Sequence, residues 1–221
     1  MKKLYAVGIG AGDPQGMTIK AREILEKSDV IAGYTVYCDL IKPLFPHKEY
    51  LSSAMKAEEA RCRLALEAAA EGKTVSMICS GDSGVYGMAS LLMELAPEYG
   101  VGIEVIPGVT AALSGSALLG SPLTADFAVI SLSDLLTPME TIVKRLHALG
   151  DCDMPIAIYN PSSKKRGNHL RMACEILLEY RSGETVCGVT KNIGREGEEY
   201  RVMTLAELKE YEADMFTTVF V

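Results

Sequence analysis

Two glycine-rich segments carry the residue types that could hold a small molecule. The first, residues 80–87 (SGDSGVYG), follows the apolar run Thr74–Cys79, and the second, residues 107–111 (PGVTA), follows Ile103–Ile106. Glycine lets a ligand approach the main chain closely, and the carboxylate of Asp82 accepts hydrogen bonds from hydroxyl or ammonium groups while it disfavours a phosphate. Because Thr74–Cys79 is rich in Val, Met and Ile, it predicts a strand buried on both faces, and open α/β sheets bind ligands at the carboxyl ends of such strands.

A third glycine turn, residues 8–14 (GIGAGDP), has the outline of a dinucleotide-binding fingerprint but departs from it. Asp13 stands where the last glycine of G-x-G-x-x-G belongs, and Pro14 follows it, so close helix packing and a phosphate at the helix start are both disfavoured. The sequence also lacks G-x-S-x-G, a P-loop and H-E-x-x-H, and its three histidines lie far apart. These patterns argue against a dinucleotide, an α/β-hydrolase, a P-loop NTPase and a metal site.

Two further polar turns follow apolar runs in the second half of the chain. They are residues 131–134 (SLSD) and 159–163 (YNPSS), and their residue types are also those of ordinary turns, so that reading stays open. Together with the three glycine turns they make five turns at predicted carboxyl ends of strands. Such a set predicts a cleft between two lobes.

The charge pattern bears on partners. The formal net charge of −7 and the sequence pI of about 5.1 argue against an extended nucleic-acid surface, because that binding relies on Lys and Arg. A local basic region is the exception, and its candidate substrate-binding residues are Lys164, Arg166, Lys191 and Arg195. It is either a solvated surface or a site for a ligand with several carboxylates.

The elements that must position these turns are those of an α/β protein. In the first half, short apolar runs alternate with helical patterns, among them a helix over Val85–Leu95 and one over Ala57–Glu71 whose apolar face includes Leu64. This alternation predicts a mostly parallel sheet with helices on its faces, in a domain over residues 1–118. Residues 119–221 predict a second domain with a mixed sheet, in which Thr204-x-x-Glu207 forms a capping box.

Composition also indicates a compartment. The chain contains no apolar stretch of the roughly 20 residues that a membrane span needs, and no signal-peptide pattern at its start. Its six cysteines are scattered, without C-x-x-C pairs, and are predicted to be reduced and structural. These features predict a cytoplasmic protein without a membrane partner.

Taken in chain order, the motifs resemble those of the tetrapyrrole (corrin/porphyrin) methylase family. They are GIGAGDP at 8–14, SGDSGVYG at 80–87, PGVTA at 107–111 and AIYNP at 157–161, and they span nearly the whole chain. Within that family, the string DFAVISLSDLLTP at 126–138 resembles the branch that methylates C17 of precorrin-3B, or of its cobalt-bearing counterpart, in cobalamin biosynthesis.

This resemblance implies a fold, a cofactor and an assembly. It implies two α/β domains with a ligand trough between them, a homodimer, and S-adenosylmethionine as methyl donor, with S-adenosylhomocysteine as product. The residues that match the family's cofactor motifs are Pro14, Ser80, Gly81, Asp82, Val85, Thr110, Ala111, Asn160 and Ile193.

The resemblance also implies a reaction, which is methyl transfer to C17 with contraction of the ring. Positioning and desolvation should supply most of the rate of methyl transfer, whereas ring contraction moves a proton. The polar candidates for catalysis are Tyr34, Asp126, Ser131 and Asp134. The acetate and propionate arms of a precorrin would give the basic region a ligand. The alternatives are another precorrin C-methyltransferase of the family and a non-catalytic nucleotide-binding module.

Overall fold

The computed structural model describes residues 2–55, 57–163 and 167–221. The chain divides into two compact units, of which the first ends at Thr110 and the second covers Ala111–Val221. The domain boundary predicted between residues 118 and 119 falls at the carboxyl end of the helix that opens the second unit, and it stays a prediction. Lys164 and Arg166, both predicted to bind substrate, lie outside the described residues.

The first unit alternates strands with helices, as its sequence predicts. Its described elements are β1 (Lys3–Gly8), a 3-10 turn (Pro14–Gly16), α1 (Ile19–Lys27), β2 (Val30–Tyr34), α2 (Thr35–Ile41), β3 (Glu49–Ser53), α3 (Glu58–Ala70), β4 (Val75–Cys79), α4 (Ala89–Leu95), a 3-10 turn (Ala96–Tyr99) and β5 (Gly102–Ile106).

The described strands of this unit form one parallel sheet in the order β3-β2-β4-β1-β5. Side chains alternate between its faces: Leu4 and Ala6 of β1 pack with α3 and α4, whereas Val7 packs with α1 and α2. Strands β1 and β4 are neighbours in the sheet. The chain leaves β1 toward β2 on one side of this pair and leaves β4 toward β5 on the other side. Their carboxyl ends therefore form the switch point at which such sheets bind ligands.

Several predicted elements of this unit need correction. Helix α4 begins at Ala89 and not at Val85, because residues 83–88 form bends in which Asp82 binds backbone N–H groups and Tyr86 has φ +53°. Leu64 of α3 is 51% exposed, so it does not belong to the buried face that the sequence assigns to it. Helix α2 and strand β3 follow one another without the long apolar runs that would have predicted them.

The second unit contains a mixed sheet. Its described elements are α5 (Ala111–Leu118), β6 (Ala128–Ser131), α6 (Met139–Asp151), β7 (Ile156–Tyr159), α7 (His169–Leu178), β8 (Val186–Lys191), β9 (Glu199–Thr204), α8 (Leu205–Leu208) and β10 (Thr217–Phe220).

The described strands of the second unit pair in the order β6-β7-β10-β8-β9. β6 and β7 are parallel, and the pairs that include β10 or β9 are antiparallel, which confirms the mixed character predicted from sequence. Helices α6, α7 and α8 pack on one face around Leu146, Leu177 and Val219. The capping box at the start of α8 is present, since Thr204 and Glu207 bind each other's backbone N–H groups. Among the described residues, no helix has the length and apolarity that a membrane crossing requires.

Candidate functional site

Three loops meet at the carboxyl edge of the first sheet. They follow β1, β4 and β5, and two of them are joined by main-chain hydrogen bonds between Gly10 and Gly81. The backbone nitrogen of Gly81 lies 2.7 Å from the carbonyl oxygen of Gly10, and the backbone nitrogen of Gly10 lies 3.1 Å from the carbonyl oxygen of Gly81. The glycine turns at residues 8–14 and 80–87, which lie far apart in the sequence, therefore form a single backbone surface.

Gly8 and Gly108 hold these loops at a separation that a side chain would prevent. A Cβ atom on Gly108 would lie 2.2 Å from the carbonyl oxygen of Gly81 and 2.6 Å from the carbonyl carbon of Gly8. A Cβ on Gly8 would lie 2.6 Å from the backbone nitrogen of Gly108. Because these neighbours are main-chain atoms, they cannot rotate away, and the loop packing itself requires glycine at both positions.

The carboxylate of Asp82 ties the β4 loop to the β5 loop. Its Oδ1 accepts hydrogen bonds from the backbone N–H groups of Gly84 and Val85, at 2.8 and 3.1 Å, and its Oδ2 accepts one from Gly108 at 2.9 Å. An ionised carboxylate has about four lone-pair positions, so these bonds leave about one for a ligand. The sequence predicts that the carboxylate oxygens of Asp82 accept hydrogen bonds from a ligand. In the structure, these oxygens bind backbone N–H groups and so hold the β4 loop against the β5 loop.

The first unit brings together most of the predicted cofactor residues. Pro14 starts the exposed 3-10 turn after β1, and Thr110 is half-buried at the end of the β5 loop. The others, on the β4 loop, are Ser80, Gly81, Asp82 and Val85. Tyr34, a predicted catalytic residue, ends β2, and its ring lies edge-on to that of Tyr37 with 5.2 Å between the ring centroids.

In the second unit, two predicted site residues contact each other at the ends of β6 and β7. The side-chain nitrogen of Asn160 donates a hydrogen bond to the hydroxyl of Ser131 at 2.9 Å, and Asn160 has φ +52°. The same hydroxyl accepts the backbone N–H of Ser133 at 3.1 Å. Ser131 therefore serves as a turn-forming residue in the structure, which is the alternative that the sequence left open, and its catalytic role stays a prediction.

Tyr159 has a role that the sequence analysis did not assign. Its phenolic oxygen accepts the backbone N–H of Ala112 at 2.7 Å and so caps the first turn of α5. Ala111, a predicted cofactor residue, is the first residue of that helix. Nothing in the local pattern around Tyr159 indicates this contact, because its partner is 47 residues away in sequence.

The remaining predicted residues of the second unit lie in different surroundings. The side chain of Ile193 is buried, which leaves its main chain as the part that could reach a ligand. The Lys191 ammonium lies 3.1 Å from a carboxylate oxygen of Asp214, whose hydrogen bond and charge raise the pKa of that lysine. Arg195 stacks over Phe216, with 5.6 Å between the guanidinium carbon and the ring centroid. The two other predicted catalytic residues are exposed, and they are Asp126 and Asp134.

One charged residue at the carboxyl edge of the first sheet was missed from sequence. Arg61 of α3 is buried, and its guanidinium donates to Ser53 at the end of β3. The signal that could have identified it is its position on the helical stripe of Ala65 and Ala68, where an apolar residue would be expected. Within the described part of the chain, no group of three or more His, Cys, Asp or Glu side chains could hold a metal ion.

Comparison with known proteins gives concordant matches. A family model described as Tetrapyrrole (Corrin/Porphyrin) Methylases matches residues 3–209. A "Probable cobalt-factor III C(17)-methyltransferase" of Salmonella typhimurium is 41% identical over 220 residues, which cover 99% of this chain and 91% of that protein. A "Cobalt-factor III methyltransferase" of Priestia megaterium is 42% identical over 225 residues, which cover 99% of this chain but 42% of that protein. The chain thus spans less than half of the Priestia protein.

Solved structures show the same architecture. The crystal structure of the methyltransferase CobJ superposes with a TM-score of 0.91 at 34% identity and covers 100% of this chain and 94% of that chain. A uroporphyrin-III C-methyl transferase of Thermus thermophilus, solved with S-adenosyl homocysteine, superposes with a TM-score of 0.77 over 99% of this chain and 96% of that chain. At 21% identity, the latter likeness concerns the fold alone.

Proposed function

The chain belongs to the tetrapyrrole (corrin/porphyrin) methylase family, and on that premise we propose that it methylates C17 of cobalt-factor III in cobalamin biosynthesis. The observation that carries this proposal is the 41% identity over 99% of the chain to a protein named for that reaction. Cobalt-free precorrin-3B is the other form of the substrate that the sequence left open. The proposed methyl donor is S-adenosylmethionine.

The loops of the first unit suit that donor. Its ribose hydroxyls and its ammonium group are hydrogen-bond donors, and Asp82 keeps about one acceptor position in addition to its three backbone N–H partners. The closely packed backbones of Gly8, Gly81 and Gly108 carry no side chains, so a ligand can approach the main chain closely. We propose that Pro14, Ser80, Gly81, Asp82, Val85 and Thr110 hold the donor, and that Ala111, Asn160 and Ile193 of the second unit contribute to the same function.

Methyl transfer depends chiefly on the alignment of the methyl donor with the acceptor carbon. When bound, S-adenosylmethionine supplies an electrophilic methyl group on a sulfonium sulfur. The protein must fix the donor in line with the nucleophilic ring carbon and exclude water, and loops fixed by Asp82 are suited to that task because they need little reordering. Ring contraction also requires a proton to move, and Tyr34, Asp126, Ser131 and Asp134 are our proposed groups for that step.

The experiment is methyl transfer with a defined substrate. The purified chain is incubated with the trimethylated tetrapyrrole, with and without cobalt, and with S-adenosylmethionine labelled in the methyl group. We expect the cobalt form to gain one labelled methyl group, detected by mass spectrometry. If neither form gains a label while calorimetry shows that S-adenosylhomocysteine binds, the proposed substrate is wrong. Label on a different precorrin would assign the chain to another branch of the family.

We further propose that the chain acts in the cytoplasm as a homodimer. The support for a dimer is an apolar surface at the turn after β6, where Leu135 and Leu136 are 71% and 98% exposed. Light scattering coupled to gel filtration should give about twice the chain mass of 23.8 kDa, and Leu136→Ser should lower the apparent mass. A wild-type mass equal to that of one chain would contradict the homodimer, and fractionation of cells tests the compartment.

A further inference from the structure

Arg61 is a buried cation at the same sheet edge as the candidate site. It lies on α3 with 5% of its surface exposed, on the face that also buries Cys62, Ala65 and Leu66. Its guanidinium reaches Ser53, which ends β3, and approaches Met88, which ends the β4 loop that also carries Asp82. The residue therefore joins two of the loop regions at the carboxyl edge of the first sheet.

Among the described residues, the hydrogen bonds of Arg61 to oxygen atoms all come from one of its terminal nitrogens. Nη1 donates to the hydroxyl of Ser53 at 2.8 Å and to the carbonyl oxygens of Ser53 and Ala54 at 3.4 and 3.3 Å. Nη2 donates to the sulfur of Met88 at 4.0 Å, and a thioether is a weak acceptor. Nε is buried and has no hydrogen-bond partner among the described residues.

Nε, which has no partner among the described residues, and Nη2, which has the weak sulfur acceptor of Met88, form a fork. The N–H bond of Nε and one N–H bond of Nη2 lie in the guanidinium plane and point to the same side, and this pair is one of the edges with which arginine binds a carboxylate through two hydrogen bonds. Because Nη1 is held by Ser53 and Ala54, the orientation of the guanidinium is fixed, with Nη2 next to the sulfur of Met88. Methionine is flexible and polarizable, so it can cover such a fork and also move away from it.

The charge of Arg61 also lacks a counter-ion within the described part of the chain. Among residues 2–55, 57–163 and 167–221, no carboxylate oxygen lies within 4.0 Å of its guanidinium. Arg181 is the matched case in the second unit, because its Nε is also buried without a hydrogen bond. In Arg181, however, Nε lies 3.8 Å from Oδ1 of Asp153, and Nη2 donates hydrogen bonds to two carbonyl oxygens. A buried charge without a partner is costly, and Arg61 is the one of these two that would gain most from an anion.

We propose that Arg61 binds a carboxylate arm of the tetrapyrrole through its Nε–Nη2 fork, with Met88 moving aside. This inference rests on the proposed function, which supplies a substrate with acetate and propionate arms. It adds to the first unit a substrate-binding residue that differs from the basic residues singled out in the sequence, which are Lys164, Arg166, Lys191 and Arg195. It also connects substrate binding to the loop fixed by Asp82, because Met88 ends that loop.

A direct test observes the Arg61 side chain without catalysis. Nitrogen-15 labelled protein is titrated with propionate at constant ionic strength, with propionamide as the neutral match, and the Nε–H signals are followed by NMR. Arg61→Lys identifies the Arg61 signal, and Arg181 is the internal control. We expect propionate to shift the Arg61 signal downfield while propionamide, and the Arg181 signal, show no change. Absence of the propionate shift would overturn the proposal.

A kinetic test identifies the ligand that brings the carboxylate. Arg61→Gln should raise KM for the tetrapyrrole by about tenfold or more, as expected when one partner of a buried charge pair is truncated, and leave KM for S-adenosylmethionine within about twofold. Arg61→Lys keeps the charge but lacks the fork, so its KM for the tetrapyrrole should lie between those of the wild type and Arg61→Gln. Arg63→Gln, on the same helix but half-buried and paired with Glu59 and Glu98, is the control and should match the wild type.

The outcomes separate this inference from the proposed function. If the wild type transfers a methyl group and Arg61→Gln keeps both KM values, the function stands and the role of Arg61 is wrong. A rise in KM for S-adenosylmethionine alone would assign the fork to the methyl donor and overturn the proposal. If the wild type transfers no methyl group, the proposed function fails, and the propionate titration still decides whether the fork binds a carboxylate. Thermal melts of each variant establish that it is folded.

Discussion

At the scale of single residues, Asp82 shows how one side chain can serve both structure and binding. It satisfies backbone N–H groups on two loops, and one of them, on Gly108, is 26 residues away in the sequence. Such charge-assisted bonds are stronger than neutral ones, so a single carboxylate can fix the geometry of a loop surface. Loss of Asp82 should therefore weaken cofactor binding chiefly because the loops lose their arrangement.

Asp82→Asn is the substitution that tests this role. Asparagine keeps one acceptor oxygen but replaces the other with an NH₂ group, so at least one backbone N–H loses its partner in either orientation. A buried group left unpaired costs about 1–3 kcal/mol, and because these N–H groups are half-buried or exposed we expect a cost at the lower end; calorimetry should show S-adenosylhomocysteine binding about tenfold more weakly. Asp29→Asn is the control, because Asp29 binds one N–H, on Thr74, at the opposite edge of the sheet. Equal affinities for Asp82→Asn and wild type would contradict this role.

At the scale of elements, the contacts between loops and helix starts decide the shape of each unit. Gly108 allows three loops to meet at the edge of the first sheet, and Tyr159 connects β7 to the start of α5 in the second. Both contacts join segments that are distant in sequence. Each can be removed by a small change in side-chain volume or polarity.

Gly108→Ala should destabilise the loops of the first unit. The added methyl group would overlap the carbonyl oxygen of Gly81 at 2.2 Å, and such overpacking typically costs about 1–3 kcal/mol. Thermal unfolding and cofactor titration should both show the loss. Gly16→Ala is the matched control, because a Cβ there meets nothing within 4 Å and its φ is not positive. A melting temperature for Gly108→Ala equal to that of Gly16→Ala would show that the loops can separate without cost.

Tyr159→Phe should weaken the start of α5. It removes the oxygen that accepts the Ala112 N–H at 2.7 Å, and loss of a helix cap costs about 1 kcal/mol. For a protein of this size the melting temperature should fall by about 2–4 °C. Tyr200→Phe serves as the comparison, because Tyr200 is 61% exposed, and it should melt like the wild type. No difference between the two variants would mean that water replaces the phenol as the cap.

At the scale of the whole molecule, burial controls the chemistry of the cysteines. All six cysteines are described and free, and Cys152 is the exposed one. Burial is the main cause that raises the pKa of the other thiols above the ordinary 9.0, to about 11 or 12; they are Cys38, Cys62, Cys79, Cys174 and Cys187. At neutral pH these buried thiols are protonated, so they are poor nucleophiles.

Alkylation of the native protein should therefore be selective. Iodoacetamide at pH 8 should modify Cys152 in the native state and all six cysteines after denaturation, as read by mass spectrometry of peptides. Native modification of Cys79 at the rate of Cys152 would contradict the burial described here.

The same burial predicts a dependence of stability on pH. A thiol whose folded pKa lies above its unfolded value holds its proton more tightly in the folded state. Its contribution to stability is complete below about pH 9 and is lost as the pH rises toward 11 or 12. Denaturant unfolding at increasing pH should show this decline, and replacing Cys62 with alanine should reduce its slope.

The sequence by itself determined the local features of this protein. Hydrophobic periodicity predicted most strands and helices. The spacing of Thr204 and Glu207 predicted a capping box, and the glycine turns predicted the loops at the sheet edge. These features depend on residues that are neighbours along the chain. Family resemblance extended them to a function, because the motifs occur in a fixed order.

The tertiary structure decided which distant groups meet. The pairs Asp82 with Gly108, Ser131 with Asn160, and Tyr159 with Ala112 are separated by 26, 29 and 47 residues. The start of α4 and the burial of Arg61 likewise depend on what packs beside them. The free energy of a hydrogen bond or of a desolvated charge depends on the atoms within a few ångströms. The order of strands in the sheet brings those atoms together from segments that are distant in the sequence, and the local sequence of one segment does not indicate the other.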